Sequence, residues 1–121
     1  MSIKKILLVD DSPAQLVDLH NAVSSIDAHI FTATNGIDAI AKAKAEKPDI
    51  IFMDIVMDGL DGFGACREIT RNAETSNIPV IFVTSKNQRA DKIWAEKQGG
   101  KSMITKPYET QEILDQIKLY A

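Results

Sequence analysis

The sequence predicts an α/β fold in which five parallel strands are covered by helices on both faces. Short apolar runs alternate with longer segments of helical periodicity, and this alternation repeats five times along the 121 residues. The central run, Ile50-Ile51-Phe52-Met53, is continuously apolar, which is typical of a parallel strand buried on both faces. Parallel neighbours need crossover helices, and those crossovers are right-handed. A doubly wound five-stranded sheet with five helices is therefore expected.

The first unit begins with the strand 6–9, and its helix follows Asp11. Ser12 is a favourable N-cap, and Pro13 fits the first helical position. Apolar residues then recur at helical spacing over about four turns, which predicts one buried face. These residues are Leu16, Leu19, Val23 and Ile26.

The second and third units follow the same order. A weaker strand at 30–33 and the turn Asn35-Gly36 precede an Ala-rich helix that ends near Lys47-Pro48. After the strand 50–53 and the loop 58–62, a third helix follows. The second helix carries Ile37, Ile40, Ala41 and Ala43, and the third carries Phe63, Cys66 and Ile69, of which Cys66 is expected to face the core.

The fourth and fifth units complete the chain. Strand 80–83 precedes a helix from Ala90 to Gln98 that Gly99-Gly100 terminates. The weaker strand 102–105 precedes a last helix from about Glu109 to Tyr120. The predicted stripes are Ala90, Ile93, Trp94 and Lys97 in the fourth helix and Ile113, Leu114 and Ile117 in the fifth. Trp94 either packs half-buried or anchors a partner protein.

Composition limits the classes of protein to which the chain can belong. A length of 121 residues suits one domain, and no linker or repeat interrupts it, so residues 1–121 are expected to form a single domain without an output domain. The net charge of −3 offers no general attraction to nucleic acid or an anionic membrane. No apolar stretch is long enough for a membrane span. One cysteine, Cys66, forms no internal disulfide, and a cytoplasmic location is expected.

Polar residues follow four of the five predicted strands. Asp10 and Asp11 end the first, Asp54 the third, Thr84 the fourth and Lys106 the fifth. The carboxyl ends of parallel strands meet along one edge, where α/β sheets bind ligands. Three carboxylates at such short distances repel one another unless a cation lies between them. Mg²⁺ binds carboxylate oxygens and keeps coordination positions for phosphate oxygens.

This set of groups suits phosphoryl transfer. Asp54 can attack a phosphoryl group in line while the metal and Lys106 neutralise the transferring oxygens, which leaves an aspartyl phosphate. Thr84 offers a hydroxyl donor. Pro107 is expected to fix the turn that aims the Lys106 amine.

The chain resembles the receiver domains of the CheY-like response-regulator family. The matching stretches span essentially the whole chain in the family order: Leu8–Ser12, Met53-Asp54, Gly62, Val83–Ser85 and Thr105–Pro107. The resemblance implies the flavodoxin-like strand order 2-1-3-4-5 and Asp54 as the phosphoacceptor. It further implies Mg²⁺ held by Asp11, Asp54 and the Val56 carbonyl, with Asp10 acting through a water, and contacts from Thr84 and Lys106 to the phosphoryl group.

The implied function is a phosphorylation switch in a two-component phosphorelay. A CheA-like histidine kinase would donate the phosphoryl group, and the face formed by the fourth helix, fifth strand and fifth helix would signal to an effector protein. Loop details such as 73–80 are similar to stand-alone receivers of type IV pilus systems, which implies a role in twitching motility. A monomer that assists its own phosphorylation and dephosphorylation, rather than a classical enzyme, is expected.

Several alternatives remain open at this stage. A flagellar-type chemotaxis regulator or a phosphate sink would use the same site, and a degenerate receiver would signal by contact alone. An aspartate-nucleophile phosphohydrolase is disfavoured because Val56 stands where such enzymes carry a second acid. A flavodoxin-like cofactor binder is disfavoured because Asp10 and Asp11 would repel a phosphate. Met103 departs from the family, which usually has an aromatic residue there.

Overall fold

The structure is a computed structural model that describes residues 2–86 and 88–121. Its ten elements alternate between strand and helix, as the sequence predicts. In chain order they are β1 (Lys5–Val9), α1 (Pro13–Ala22), β2 (His29–Ala33), α2 (Gly36–Glu46), β3 (Ile50–Met53), α3 (Gly62–Arg71), β4 (Val80–Thr84), α4 (Arg89–Lys97), β5 (Ser102–Thr105) and α5 (Thr110–Tyr120).

The five strands form one parallel sheet in the order β2-β1-β3-β4-β5. This confirms the predicted fold class and the order that the receiver resemblance implies. β3 lies at the centre and all four of its residues are buried, because helices cover both faces of the sheet.

Each face of the sheet has its own apolar core. Residues of α1 and α5, including Leu19 and Ile113, pack on one face with Phe52. Residues of α2, α3 and α4, including Phe63 and Ala95, pack on the other. Along the part of the chain that the structure describes, no helix combines the length and apolar character that crossing a membrane requires.

Side-chain caps place the starts of α1 and α2. Ser12 Oγ accepts a hydrogen bond from Gln15 N at 3.4 Å, and Pro13 occupies the first turn of α1, as predicted. Asn35 Oδ1 accepts from Asp38 N at 2.8 Å, so the predicted turn at residue 35 is the N-cap of α2. These caps satisfy backbone N–H groups that a helix start leaves unpaired.

One detail of the predicted helices is wrong. α1 ends at Ala22 rather than continuing to Ile26. In α2, Ile37 is 66% exposed and Ala41 is also exposed, while the buried positions include Ala39 and Ala43. The small side chains of Ala39 and Ala43 face the core, and Ile37 on the other side of the helix is exposed to solvent.

α4 contacts the rest of the protein mainly through one small residue. The structure buries only Ala95 of this helix and leaves Ile93 46% and Trp94 48% exposed. The predicted stripe therefore faces solvent, because α4 lies over the sheet through a single small residue. Trp94 is accordingly a surface residue, free to report on the surroundings of α4.

Candidate functional site

Strand register brings the two central carboxylates side by side. Val9 of β1 pairs with Met53 of β3, so the next residues, Asp10 and Asp54, are neighbours at the carboxyl edge of the sheet. Backbone hydrogen bonds hold both: Asp54 N donates to Val9 O at 3.0 Å, and Asp10 N donates to Ala33 O at 3.1 Å. The predicted convergence of these groups is present.

The Lys106 side chain reaches both carboxylates. Thr84 and Thr105 are register partners, and Lys106 N donates to Thr84 O at 2.8 Å. The Lys106 ammonium lies 2.7 Å from Asp10 Oδ2 and 3.2 Å from Asp54 Oδ2. Lys106 precedes Pro107 through a cis peptide bond.

The surroundings of Lys106 favour its charged form. Burial of the ammonium lowers its pKa, whereas hydrogen bonds and charge attraction from Asp10 and Asp54 raise it, and the net result is a raised pKa. The ammonium therefore stays protonated at neutral pH. It supplies a fixed positive charge between two acids.

Each carboxylate is oriented by two donors. Asp54 Oδ1 accepts a hydrogen bond from Ile55 N at 2.7 Å, and Asp10 Oδ1 accepts one from Ser12 N at 3.0 Å. The other oxygen of each faces Lys106. With both oxygens engaged, the carboxylates keep defined directions before any ligand binds.

An open cleft of about 720 Å³ gives access to these groups. The Asp54 side chain is 13% exposed, whereas that of Asp10 is 1% exposed. Asp54 is thus the more accessible of the two inner acids. Other residues that line the cleft include Asp11, Ser12, Gln15, Asp18, Ser85 and Tyr108.

The remaining predicted site residues lie around this pair. Asp11 is exposed on the cleft wall, and Val56 follows β3 with 54% of its surface exposed. Thr84 is fully buried, and its hydroxyl accepts a hydrogen bond from Lys86 N at 3.3 Å. The Thr84 hydroxyl is therefore engaged with backbone at the end of β4.

The chemistry of the acidic set suits a hard cation. Asp10, Asp11 and Asp54 line the same cleft and offer only oxygen donors, which Mg²⁺ prefers. Within residues 2–86 and 88–121, no three acidic, histidine or cysteine side chains already stand in a metal-binding arrangement. Lys106 supplies a positive charge between Asp10 and Asp54.

Sequence reasoning placed Ser85 at the end of the fourth strand without a role in the site, and the structure shows that it lines the cleft. It missed Tyr108. Tyr108 also lines the cleft, and its buried hydroxyl has no hydrogen-bond partner within the described part of the chain. Burial and the nearby acids Asp18 and Asp10 raise the pKa of Tyr108 to about 12, so it stays neutral.

Comparison with known proteins agrees with this geometry. The family model described as the response regulator receiver domain matches residues 6–118. The chain is 46% identical over 113 residues to Protein PilH of Pseudomonas aeruginosa, which covers 93% of each chain. It is 34% identical over 116 residues to Protein PilG of the same organism, covering 96% of this chain and 86% of PilG.

Solved structures give the same fold. The receiver domain of a sensor histidine kinase from P. aeruginosa, described with magnesium ion coordinated in the active site cleft, aligns with a TM-score of 0.89 at 25% identity over 98% of each chain. Chemotaxis protein CheY4 of Vibrio cholerae aligns with a TM-score of 0.90 at 22% identity. That alignment covers 99% of this chain and 100% of CheY4.

Proposed function

Because this chain belongs to the family of response regulator receiver domains, we propose that it is a signalling switch phosphorylated on Asp54. The observation that carries the proposal is the contact of one lysine with two acids. Lys106 holds Asp54 at 3.2 Å and Asp10 at 2.7 Å, at the edge of an open cleft. Asp54 is thereby an oriented nucleophile beside a fixed positive charge.

The proposed transfer follows from this geometry. An oxygen of Asp54 attacks the phosphorus of a phosphohistidine on a CheA-like kinase, the new O–P bond forms, and the N–P bond breaks with its electron pair passing to the imidazole nitrogen. Lys106 stabilises the negative charge on the phosphoryl oxygens. Mg²⁺ held by Asp11, Asp54 and the Val56 carbonyl, with Asp10 acting through a water, would add further positive charge near these oxygens.

Thr84 is the proposed hydroxyl donor to the bound phosphoryl group. Its oxygen accepts a hydrogen bond from Lys86 N and its own proton remains available, so a rotation of the Thr84 side chain would let it donate to the phosphate. A rotation at the end of β4 alters the loop that leads into α4. The α4-β5-α5 face is the proposed signalling surface, and the exposed Ile93 and Trp94 supply apolar contacts near it.

We further propose the cellular context. The 46% identity to Protein PilH supports a chemotaxis-like phosphorelay of the type IV pilus and twitching motility, in the cytoplasm. The match spans 93% of PilH, so the similarity extends over nearly the whole of that relative. The proposed partners are a histidine kinase and a downstream effector of the pilus machinery.

Intact-mass measurement tests the phosphoacceptor. The protein is incubated with acetyl phosphate with and without Mg²⁺, and wild type is compared with Asp54→Asn. Asp58→Asn is the matched control, because Asp58 is an exposed acid in the loop after β3. The expected result is the mass of one phosphoryl group on wild type and on the control, only with Mg²⁺, and none on Asp54→Asn. Equal phosphorylation of Asp54→Asn, or none on wild type, would overturn the proposal.

A further inference from the structure

Very little apolar surface attaches α4 to the protein. Ala95 is the buried residue of its nine, and the segment before it, Ser85 and Lys86, is exposed. Segments with few buried apolar contacts open locally at low free-energy cost. Polar contacts must therefore contribute to holding α4 in place.

Those contacts converge on Gln98, the C-cap of α4, which is only 6% exposed. The Gln98 carbonyl oxygen accepts hydrogen bonds from the Cys66 thiol at 3.3 Å and from the Thr70 hydroxyl at 3.0 Å. Its side-chain Oε1 accepts one from Arg67 Nε at 2.8 Å. All three donors belong to α3, and these four residues are called the Gln98 clamp below.

The backbone after Gln98 also touches α3. Gly99 has a φ of +95°, and a Cβ there would lie 2.6 Å from Thr70 Oγ1. Only glycine therefore allows the chain to turn away from α4 at this distance from α3. The end of α4 is fixed to α3 on two sides, by the clamp and by this close approach.

The opposite end of α3 contacts the phosphoacceptor backbone. Gly62 N donates to Ile55 O at 2.8 Å, and a Cβ on Gly62 would lie 2.1 Å from the Asp54 carbonyl oxygen. α3 has ten residues and is thus about 15 Å long. One helix therefore joins the peptide of Asp54 to the base of α4.

We propose that Arg67 and Gln98 are positioning residues through which α3 sets the position of α4. Changes at Asp54 then reach α4 along α3, by a connection that does not involve the side chain at position 103. The inference that a signal passes along this connection rests on the proposed function. The inference that the Gln98 clamp holds α4 does not. Contiguous packed elements can carry such coupling, but only a measured coupling establishes it.

Hydrogen exchange of the unphosphorylated protein tests the clamp. Arg67→Met keeps an apolar stem and removes the guanidinium, and Arg71→Met is the matched control, an exposed arginine one turn further along α3. We expect the α4 amides to exchange at least about fivefold faster in Arg67→Met, with α4 unchanged in the control. The strand amides should keep wild-type rates in both variants. Equal α4 rates in Arg67→Met and Arg71→Met, or equal acceleration of the strands, would overturn the clamp.

Substitutions at Gln98 separate a hydrogen bond from general packing. Gln98→Glu retains the acceptor for Arg67 and should keep α4 protected, whereas Gln98→Met should match Arg67→Met. In the double variant Arg67→Met/Gln98→Met, the α4 amides should exchange no faster than in either single variant. Each single substitution already removes the same Arg67–Gln98 hydrogen bond. If the two substitutions accelerate α4 exchange additively, Arg67 and Gln98 do not act through one shared hydrogen bond.

Trp94 fluorescence tests the connection to Asp54. Beryllofluoride with Mg²⁺ should change the Trp94 emission of wild type and Arg71→Met, and at most about half of that change should remain in Arg67→Met. The phosphoryl mass of Arg67→Met should equal that of wild type. A full emission change in Arg67→Met, or none in a phosphorylated wild type, overturns the connection. If wild type gains no phosphoryl group, the proposed function is refuted instead. Hydrogen exchange then still tests whether the Gln98 clamp holds α4 in place.

Discussion

Replacing Lys106 with methionine should destabilise the protein through the two acids that it leaves behind. The ammonium donates to Asp10 at 2.7 Å and Asp54 at 3.2 Å, and the side chain of Asp10 is almost completely buried. A hydrogen bond to a charged group contributes about 1.5 to 3 kcal/mol. Two such bonds, reduced by the desolvation of the ammonium and by solvent screening in the open cleft, leave a net loss of about 2 kcal/mol.

Urea unfolding followed by circular dichroism measures this loss as the change in the free energy of unfolding, without Mg²⁺ at pH 7.5. Lys101→Met is the control, because Lys101 is an exposed lysine. The control should stay within about 0.5 kcal/mol of wild type. If Lys106→Met is as stable as wild type, or more stable, then the cost of desolvating the ammonium cancels its pairing with Asp10 and Asp54, and the reasoning fails.

The pH dependence of this difference has a defined sign. The pKa of Lys106 is raised in the folded protein above the ordinary lysine value of 10.5. The stabilisation is therefore fully present below that ordinary value and is lost as the pH rises through the folded pKa. The gap between wild type and Lys106→Met should stay constant from about pH 7 to 9 and narrow only in strongly alkaline solution. A gap that closes below pH 9 would contradict the assignment to Lys106.

Two further predictions follow from buried positions. Gly62→Ala places a Cβ 2.1 Å from the Asp54 carbonyl oxygen, so it should lower the free energy of unfolding by about 3 kcal/mol. Gly59→Ala has open space around its Cβ but a φ of +76°, so it should lower the free energy of unfolding by about 1 kcal/mol. Thermal melts compare the two, and a smaller cost at Gly62 would refute the steric argument. Burial raises the pKa of Cys66 to about 12, so its thiol should resist alkylation by iodoacetamide at pH 8 in the native protein and react once urea unfolds it. Rapid native alkylation at the rate of a free thiol would show that the α3–α4 contact opens readily.

Local chemistry explains how much of this molecule could be predicted from its sequence. Continuous apolar runs specify strands buried on both faces, and Ser12 with Pro13 specifies where α1 begins, since both effects act within a few residues. Polar residues directly after apolar runs identified Asp10, Asp54 and Lys106 as neighbours. That prediction needed strands that are parallel and neighbouring, because their carboxyl ends then share one edge of the sheet.

Tertiary packing decided what lies between distant segments. Lys106 and Asp10 are 96 residues apart, and sequence alone could not show that one ammonium would bridge Asp10 and Asp54. In α4, helical periodicity groups Ile93 with Trp94, yet both are about half exposed and Ala95 is the buried residue of the helix. The Gln98 clamp joins two helices through polar contacts that leave no periodic signal. Its existence depends on where α3 and α4 lie, and only the folded chain determines that.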